Sequence, residues 1–242
     1  APSPDTLAVT SYVLVVDVNK AFDIKSIISK PYKVNRPQAL APDFDPSFIN
    51  SMSEIKWDFD GAEISGTPQR PTVVWRTTGV KHCSVDMGYT SIDPSTGQTT
   101  SSCELHADFR VTVLPESVNW FVEQGAPNKV GVDDDEKSDD ELYNEGRAWD
   151  NPFNLQEALR QASWGDNVIV PEGTYTPAKG DAFVIDCDSV TIVGGFHGWE
   201  TSLDELVSDP ASCIIQGNGT SAVVFDNAAA IAASGSGLSQ ST

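Results

Sequence analysis

The chain has 242 residues, of which 39% are hydrophobic and 9% aromatic. That is enough apolar material for one large or two ordinary domains, and too much for a disordered acidic tail. Asp and Glu number 35 against 15 Lys and Arg, a net charge of −20. This balance argues against nucleic acid or an anionic membrane as partner, since both need a basic footprint, and the absence of any apolar run of about 18 residues predicts no membrane-spanning helix.

The opening Ala1-Pro2-Ser3-Pro4 lacks a Met and a charged leader, and reads as a mature or trimmed N-terminus. Residues 7–18 are dense in β-branched and aromatic side chains. They predict a long apolar strand, buried on both faces or paired with a partner. The prolines from Pro31 to Pro46 disfavour helix and leave short strands, one around Tyr32-Lys33-Val34. Ile55, Trp57 and Phe59 alternate with Lys56, Asp58 and Asp60, the period of a half-buried strand, and Asp60-Gly61 signals a turn. Further strands are expected at residues 72–75, 80–87 and 104–114. A Ser/Thr/Gly-rich loop over 91–102 should join the last two. Short strands with frequent turn signals predict an all-β, Ig-like sandwich over residues 1–116.

Residues 125–147 change character. Asp133 to Glu141 form an acidic run without apolar periodicity, which reads as a solvated loop. The functional alternative is a calcium site with Asp133, Asp134, Asp135, Asp139 and Asp140 as candidate ligands, although the spacing is not that of an EF-hand. Downstream, Leu155, Ala158, Leu159 and Ala162 recur at helical spacing, predicting a short amphipathic helix over 154–162 that Trp164-Gly165-Asp166 ends. Strands are then expected at 167–171, 183–185 and 190–193. Residues 172–175 read as a turn and Gly194-Gly195-Phe196 as a tight corner. Residues 213–219 and 222–225 repeat the alternation of strand and corner. Such short strands cannot bury a core alone and must stack as rungs.

The four cysteines contain no C-x-x-C pair. Of the three connectivities, Cys83–Cys103 and Cys187–Cys213 keep each bridge inside one proposed domain, and would imply an oxidising compartment. Four buried thiols are the alternative.

Two resemblances follow from these residues. Trp57-Asp58-Phe59-Asp60-Gly61, Val73-Val74-Trp75, the stretch from Thr78 to Val85, and Val111-Thr112-Val113 together resemble the PKD family of Ig-like domains, departing from it where His82 or Cys83 stands in place of a tyrosine. That likeness implies a spacer or binding module of surface and secreted proteins. The second set is Asn119-Trp120-Phe121-Val122, the stretch from Gly146 to Phe153, Leu155 to Leu159, Gly165 to Pro177, and Val190 to Ser202. In that order it resembles the N-terminal start of right-handed parallel β-helix proteins, the bacterial surface and secreted relatives of pectate lyases. The resemblance implies that residues 117–242 begin a parallel β-helix, that the short helix caps its front end, and that the acidic stretch is an insertion. The chain supplies few rungs, so the open far edge implies a longer protein or a covering subunit.

Chemistry is thin. The second half offers Arg147, Arg160 and Lys179 as cations, none on an expected rung beside clustered acids. Asp186 and Asp188 flank Cys187 on one strand face, a carboxylate pair of the kind glycosidases use, and Asp58 and Asp60 share that alternation. His82, His106 and His197 lack a nucleophile motif. Asn218-Gly219-Thr220 matches a glycosylation sequon. Trp164, Tyr175, Phe196 and Trp199 fall at corners, and Trp199 and Tyr175 are the candidate sugar-binding residues. The expectation is a non-catalytic structural or adhesion protein, secreted or on a bacterial surface, that assembles with its own copies or other surface proteins. The alternatives are the N-terminal part of a polysaccharide-active lyase or hydrolase, and a carbohydrate-binding module.

Overall fold

The computed structural model describes residues 22–23, 25–28, 30–40, 42–44, 52–92, 95–126, 136–185, 187, 189–200, 205, 212–219 and 221–225. The expected strand at 7–18 lies outside them, as do Asp133, Asp134, Asp135, Asp186 and Asp188. Among the described residues the protein is mostly β, with few helices.

In chain order the first half comprises β1 (Phe22–Asp23), α1 (Lys25–Ile28), β2 (Tyr32–Lys33), β3 (Gln38–Ala39), β4 (Asp43–Phe44), β5 (Met52–Asp58), β6 (Glu63–Thr67), β7 (Arg70–Val74), β8 (Gly79–Ile92) and β9 (Thr99–Leu114). Strands β2-β9-β8-β5 form one sheet and β3-β7-β6 another, while β1 pairs with β4 alone. Phe59, Val73, Trp75, Cys83, Val85, Met87, Phe109, Val111 and Val113 meet in one buried core fed by both larger sheets. Trp75 sits at its centre, edge-on to Phe59 at 6.0 Å, with its indole N–H donated to the Phe59 carbonyl at 2.9 Å. The period-two pattern of 55–59 is therefore a burial pattern, with Phe59 fully inside and Lys56 and Asp58 outside. Asp60 and Gly61 both adopt positive φ, 50° and 76°, and carry the chain from one sheet to the other. The exposed hairpin partner β6 escaped sequence reading because every one of its residues faces solvent and no apolar alternation marks it.

The expected 91–102 loop is a correction. β8 and β9 stay paired as far as Ile92 and Thr99, so residues 91–92 and 99–102 of that Ser/Thr/Gly-rich stretch are strand. The same register corrects the first disulfide. Cys83 stands opposite Phe109, and Cys103 stands opposite Tyr89. The two cysteines are thus displaced along the hairpin by six residues (89 − 83), or about 20 Å, and a disulfide spans under about 7 Å between Cα atoms. Cys83, Cys187 and Cys213 are all thiols, so the Cys187–Cys213 bridge is corrected as well.

The second half holds β10 (Asn119–Phe121), α2 (Asp139–Asn144), α3 (Leu155–Gln161), β11 (Asn167–Pro171), β12 (Gly173–Tyr175), β13 (Phe183–Ile185), β14 (Thr191–Phe196), β15 (Cys213–Ile215) and β16 (Val223–Phe225). All its ladders are parallel. Asn119 lies beside Asn167 and Asn167 beside Thr191; Gly173 lies beside Cys213; Phe183 lies beside Val223. The chain therefore visits three ladders in turn and returns to each in the same order. Trp120, Val168, Val170, Tyr175, Phe183 and Ile185 point into one core. Residues 172–175, expected as a turn, contain the strand β12. Gly194-Gly195-Phe196, expected as a corner, continues β14: Val170 faces Gly194 and Pro171 faces Phe196, leaving Gly195 (φ 97°) as a bulge. A Cβ on Gly194 would fall 2.8 Å from that of Cys213, so the close approach of β14 to β15 needs glycine there.

Helix α3 forms as the sequence predicts. Asn154 caps it by accepting the Glu157 N–H at 2.9 Å, and Leu155, Ala158 and Leu159 are buried against β13 and β11. The acidic run is a partial correction. Ser138-Asp139-Asp140-Glu141 opens α2 with a capping box: Ser138 accepts the Glu141 N–H and Glu141 accepts the Ser138 N–H. Three acids in the first turn complement the helix dipole.

Burial, with the carboxylates of Asp60 and Asp58 adding to it, pushes the Cys83 thiol up to about 12. Cys83 should then resist maleimide in native protein and react only after unfolding. Peptide mapping without reductant should yield no Cys83–Cys103 cross-link; finding one would refute the register.

Candidate functional site

A densely engaged carboxylate is one that sequence reading passed over. Asp166 lies past the Ala162 C-cap of α3, and its side chain has no exposure to water. One carboxylate oxygen accepts Lys33 Nζ at 2.6 Å and the Val118 N–H at 2.9 Å. The other accepts Trp120 Nε1 at 3.0 Å, the Ser163 N–H at 2.9 Å and the Ser163 hydroxyl at 3.2 Å. Lys33 is 3% exposed and belongs to β2, the edge strand of the first half, beside Leu114. Burial draws its pKa below the ordinary lysine range, and the bond to Asp166 works against that. The site joins the two halves. Val113 packs in the first core and Leu114 in the second. Arg36 stacks over Trp164 at 4.7 Å beside the ion pair.

A second contact across the halves is made by α2. Asp139 accepts from His82 Nε2 at 2.8 Å and from Arg110 at 3.3 Å, and Arg110 also donates to the Lys137 carbonyl at 2.7 Å. The hydrogen bond from His82, then that from Arg110, holds Asp139 below the usual carboxylate range against its own desolvation. Asp139 is thus engaged by His82 and Arg110, and Asp140 is exposed on the same turn. Among the described residues no group of His, Cys, Asp and Glu side chains is arranged to hold a metal ion.

The remaining candidates serve the fold. On the outer face of β8 and β9, His106 lies between Asp86 at 2.6 Å and Asp108 at 3.0 Å. Asp58 accepts the Asp60 N–H and Asp60 accepts the His82 N–H. Arg160 is bound to the buried Glu157, and Arg147 stacks over Tyr143. Glu200, 3% exposed, collects the N–H groups of His197, Gly198 and Trp199 at 2.8–3.1 Å. Burial acts to raise its pKa, but these backbone donors hold it below the usual range. Lys179 is exposed. Asn218 donates to the Pro177 carbonyl at 3.3 Å.

The two sugar-binding candidates separate. Tyr175 is 4% exposed, its ring inside the core, which corrects its assignment as a platform. Trp199 is 68% exposed and carries His197 edge-on at 4.7 Å. Trp164 is also exposed, whereas Phe196 is fully buried. Near α3 an open cleft of about 530 Å³ has a mixed lining, with Gln124, Asn154, Gln156 and Asp181 beside Leu155 and Phe183. The exposed face of Trp199 lies outside that lining.

Among the described residues no helix is long and apolar enough to cross a membrane. No family model, no curated protein and no solved structure matches the chain.

Two measurements check this electrostatic picture. Asp166→Ala strands a buried lysine and four further donors, and should cost about 3–5 kcal/mol in urea unfolding. Lys33→Met leaves Asp166 with four other donors and should cost clearly less; the reverse order would refute the assignment of Asp166 as the hub. For His106, the bonds to Asp86 and then Asp108 raise its pKa. Its stabilising contribution should be whole below about pH 6.5 and vanish as pH rises through the higher folded value. In an NMR titration Asp86→Asn should lower the His106 midpoint, and an unmoved midpoint would contradict the pairing.

Proposed function

We propose that the chain is a non-catalytic structural or adhesion module of a secreted or cell-surface protein. In this reading residues 1–116 are an Ig-like, PKD-type sandwich and residues 117–242 begin a right-handed parallel β-helix capped by α3. The observation that carries it is the threefold return of parallel strands, β11 to β14, β12 to β15 and β13 to β16, with a short helix laid over the start. A chain wound this way adds length by repeating a rung and presents extended faces, which suits display and assembly. The buried Lys33–Asp166 pair supports the same reading, because it ties the first half to the first rung. The carboxylates of Asp166, Glu157, Glu200 and Asp139 are spent on structural donors.

A carbohydrate-binding role is favoured second, on the exposed Trp199 and its His197 neighbour. The flat face of an exposed indole suits a sugar ring. The two readings part in one set of assays on the purified native protein. Under the first, it forms ordered assemblies or adheres to isolated cell surfaces, and turns over no uronate polymer with calcium present. Under the second, it retains polysaccharide on a glycan array and loses that retention in Trp199→Ala. Catalytic turnover of a polysaccharide would overturn both.

A further inference from the structure

The open cleft beside α3 takes no part in joining the two halves. Three separate segments wall it: residues 123–125 after β10, residues 154–156, and residues 174–178 with 181–183 between β12 and β13. Its volume of about 530 Å³ lies within the roughly 300–1,000 Å³ of ordinary ligand clefts. Leu155, Tyr175 and Phe183 are buried and supply the apolar part of the lining, while Tyr175 commits its hydroxyl to the Pro171 carbonyl at 3.2 Å. The polar part is oriented by backbone partners. Gln124 donates its NH2 group to the Thr174 carbonyl at 2.8 Å, so its own carbonyl is the end left for a ligand. Gln156 accepts the Val184 N–H at 3.3 Å through its carbonyl, so its NH2 group is the end left over. One acceptor and one donor complement a peptide unit, which carries one N–H and one C=O. Glu123 and Asp181 also line the cleft, and among the described residues its lining holds no Lys, Arg or His. The charge of Glu123 is felt at the apolar part: after burial and the Cys213 thiol, it helps to push the Tyr175 phenol above the ordinary tyrosine range.

We propose that this cleft receives an extended, lysine-bearing peptide segment of a partner protein. Glu123 and Asp181 take the ammonium group, Leu155 and Phe183 the aliphatic stem, and Gln124 and Gln156 the backbone. A lysine side chain suits a lining of this mixture, because its stem packs on apolar surface while its head stays with charge and water. The net charge of −20 favours the same partner, since it draws basic segments from a distance and repels acidic ones. Each exposed charge contact is weak singly and sensitive to salt, so the amides and the apolar contact must share the binding. This site deepens the adhesive reading by giving its partner a chemistry. It needs only the walls of the cleft, however, so a failed test here leaves that reading standing.

The test is an NMR titration of the full chain that follows the backbone amides of Gln124, Gln156, Thr176 and Phe183. The probe is Nα-acetyl-lysine N-methylamide, and the control is its norleucine counterpart, which keeps the stem and lacks the ammonium group. The lysine probe should give saturable shifts at these four residues. Binding should be on the order of tenfold weaker for the norleucine probe, and weaker by a similar factor for the lysine probe on Glu123→Gln/Asp181→Asn. Glu123→Gln alone, with a loss of roughly threefold, keeps the comparison if the second substitution disturbs its turn. Added salt should weaken the lysine probe and leave the norleucine probe unchanged. Equal affinity for the two probes would mean simple apolar filling and would overturn the proposal. So would the absence of any saturable shift, or shifts spread over the acidic surface and unchanged in the variants. Cadaverine binding as tightly as the lysine probe would assign the cleft to a free diamine, and would overturn the peptide partner as well.

Discussion

A carboxylate with no access to water, met by five donors, governs how this chain is put together. Removing a carboxylate and an ammonium from water costs several kcal/mol each, and attraction between the two alone does not return that. Asp166 becomes tenable because Val118, Trp120 and Ser163 saturate the lone pairs that Lys33 leaves open. The donors come from distant places: Lys33 from the edge strand β2 of the first half, Val118 and Trp120 from the segment at β10, Ser163 from just past α3. None of these segments can shift without leaving a charge or an N–H group buried and unpaired. Hydrophobic contact between the halves, through Val113 and Leu114 on their two cores, supplies area but no orientation. The ion pair supplies the orientation.

Coverage of the second half follows from where that clamp sits. At the clamped front, α3 lies over β11 and β13, and the segment ending in Phe153 bridges to Val122 beside β10. The outer face of the β10-β11-β14 sheet is also closed there: Trp149 packs edge-on to Phe121 at 4.7 Å and donates its indole N–H to the Glu200 carbonyl. At β15 and β16, Ile214 and Val224 are 50% and 42% exposed, and Cys213, Ile215 and Val223 are only half-buried. Stability should fall from β11 towards β16 for the same reason, because local opening is cheapest where apolar contact is least.

The legible parts of this structure share one property: their signal was local. Leu155, Ala158 and Leu159 announced α3 by spacing, and short β-branched runs announced β11, β13 and β16 within a residue or two and the starts of β14 and β15. Ser138 and Glu141 carried an equally local signature, a capping box, masked by reading the acidic run as a block of charge. What stayed hidden depended on partners far away in sequence. Lys33 and Asp166 are 133 residues apart, and nothing around either marks it as buried. The Cys83–Cys103 pairing failed because a shared domain does not fix proximity, which is set by the register of the whole β8–β9 ladder. Tyr175 looked available because residues 172–175 read as a corner. The alternation of β12 turned its ring inward.

These placements bear on what the surface charge is for. A carboxylate recruited for proton transfer needs a perturbed pKa together with access to substrate. Asp166 and Glu200 are enclosed by their own donors. His106 and Asp139 are accessible, but their partners hold them in the charged states that an ion pair wants. Exposed pairs of this kind add little stability singly. Asp139 differs because it engages His82 and Arg110 on β8 and β9 from a helix that belongs to the other half of the chain. With Lys33–Asp166 on one side and this contact on another, the halves are joined at two separate points. Two such points resist rotation where one would act as a pivot, and resistance to rotation is what a load-carrying or spacing element requires of its joints.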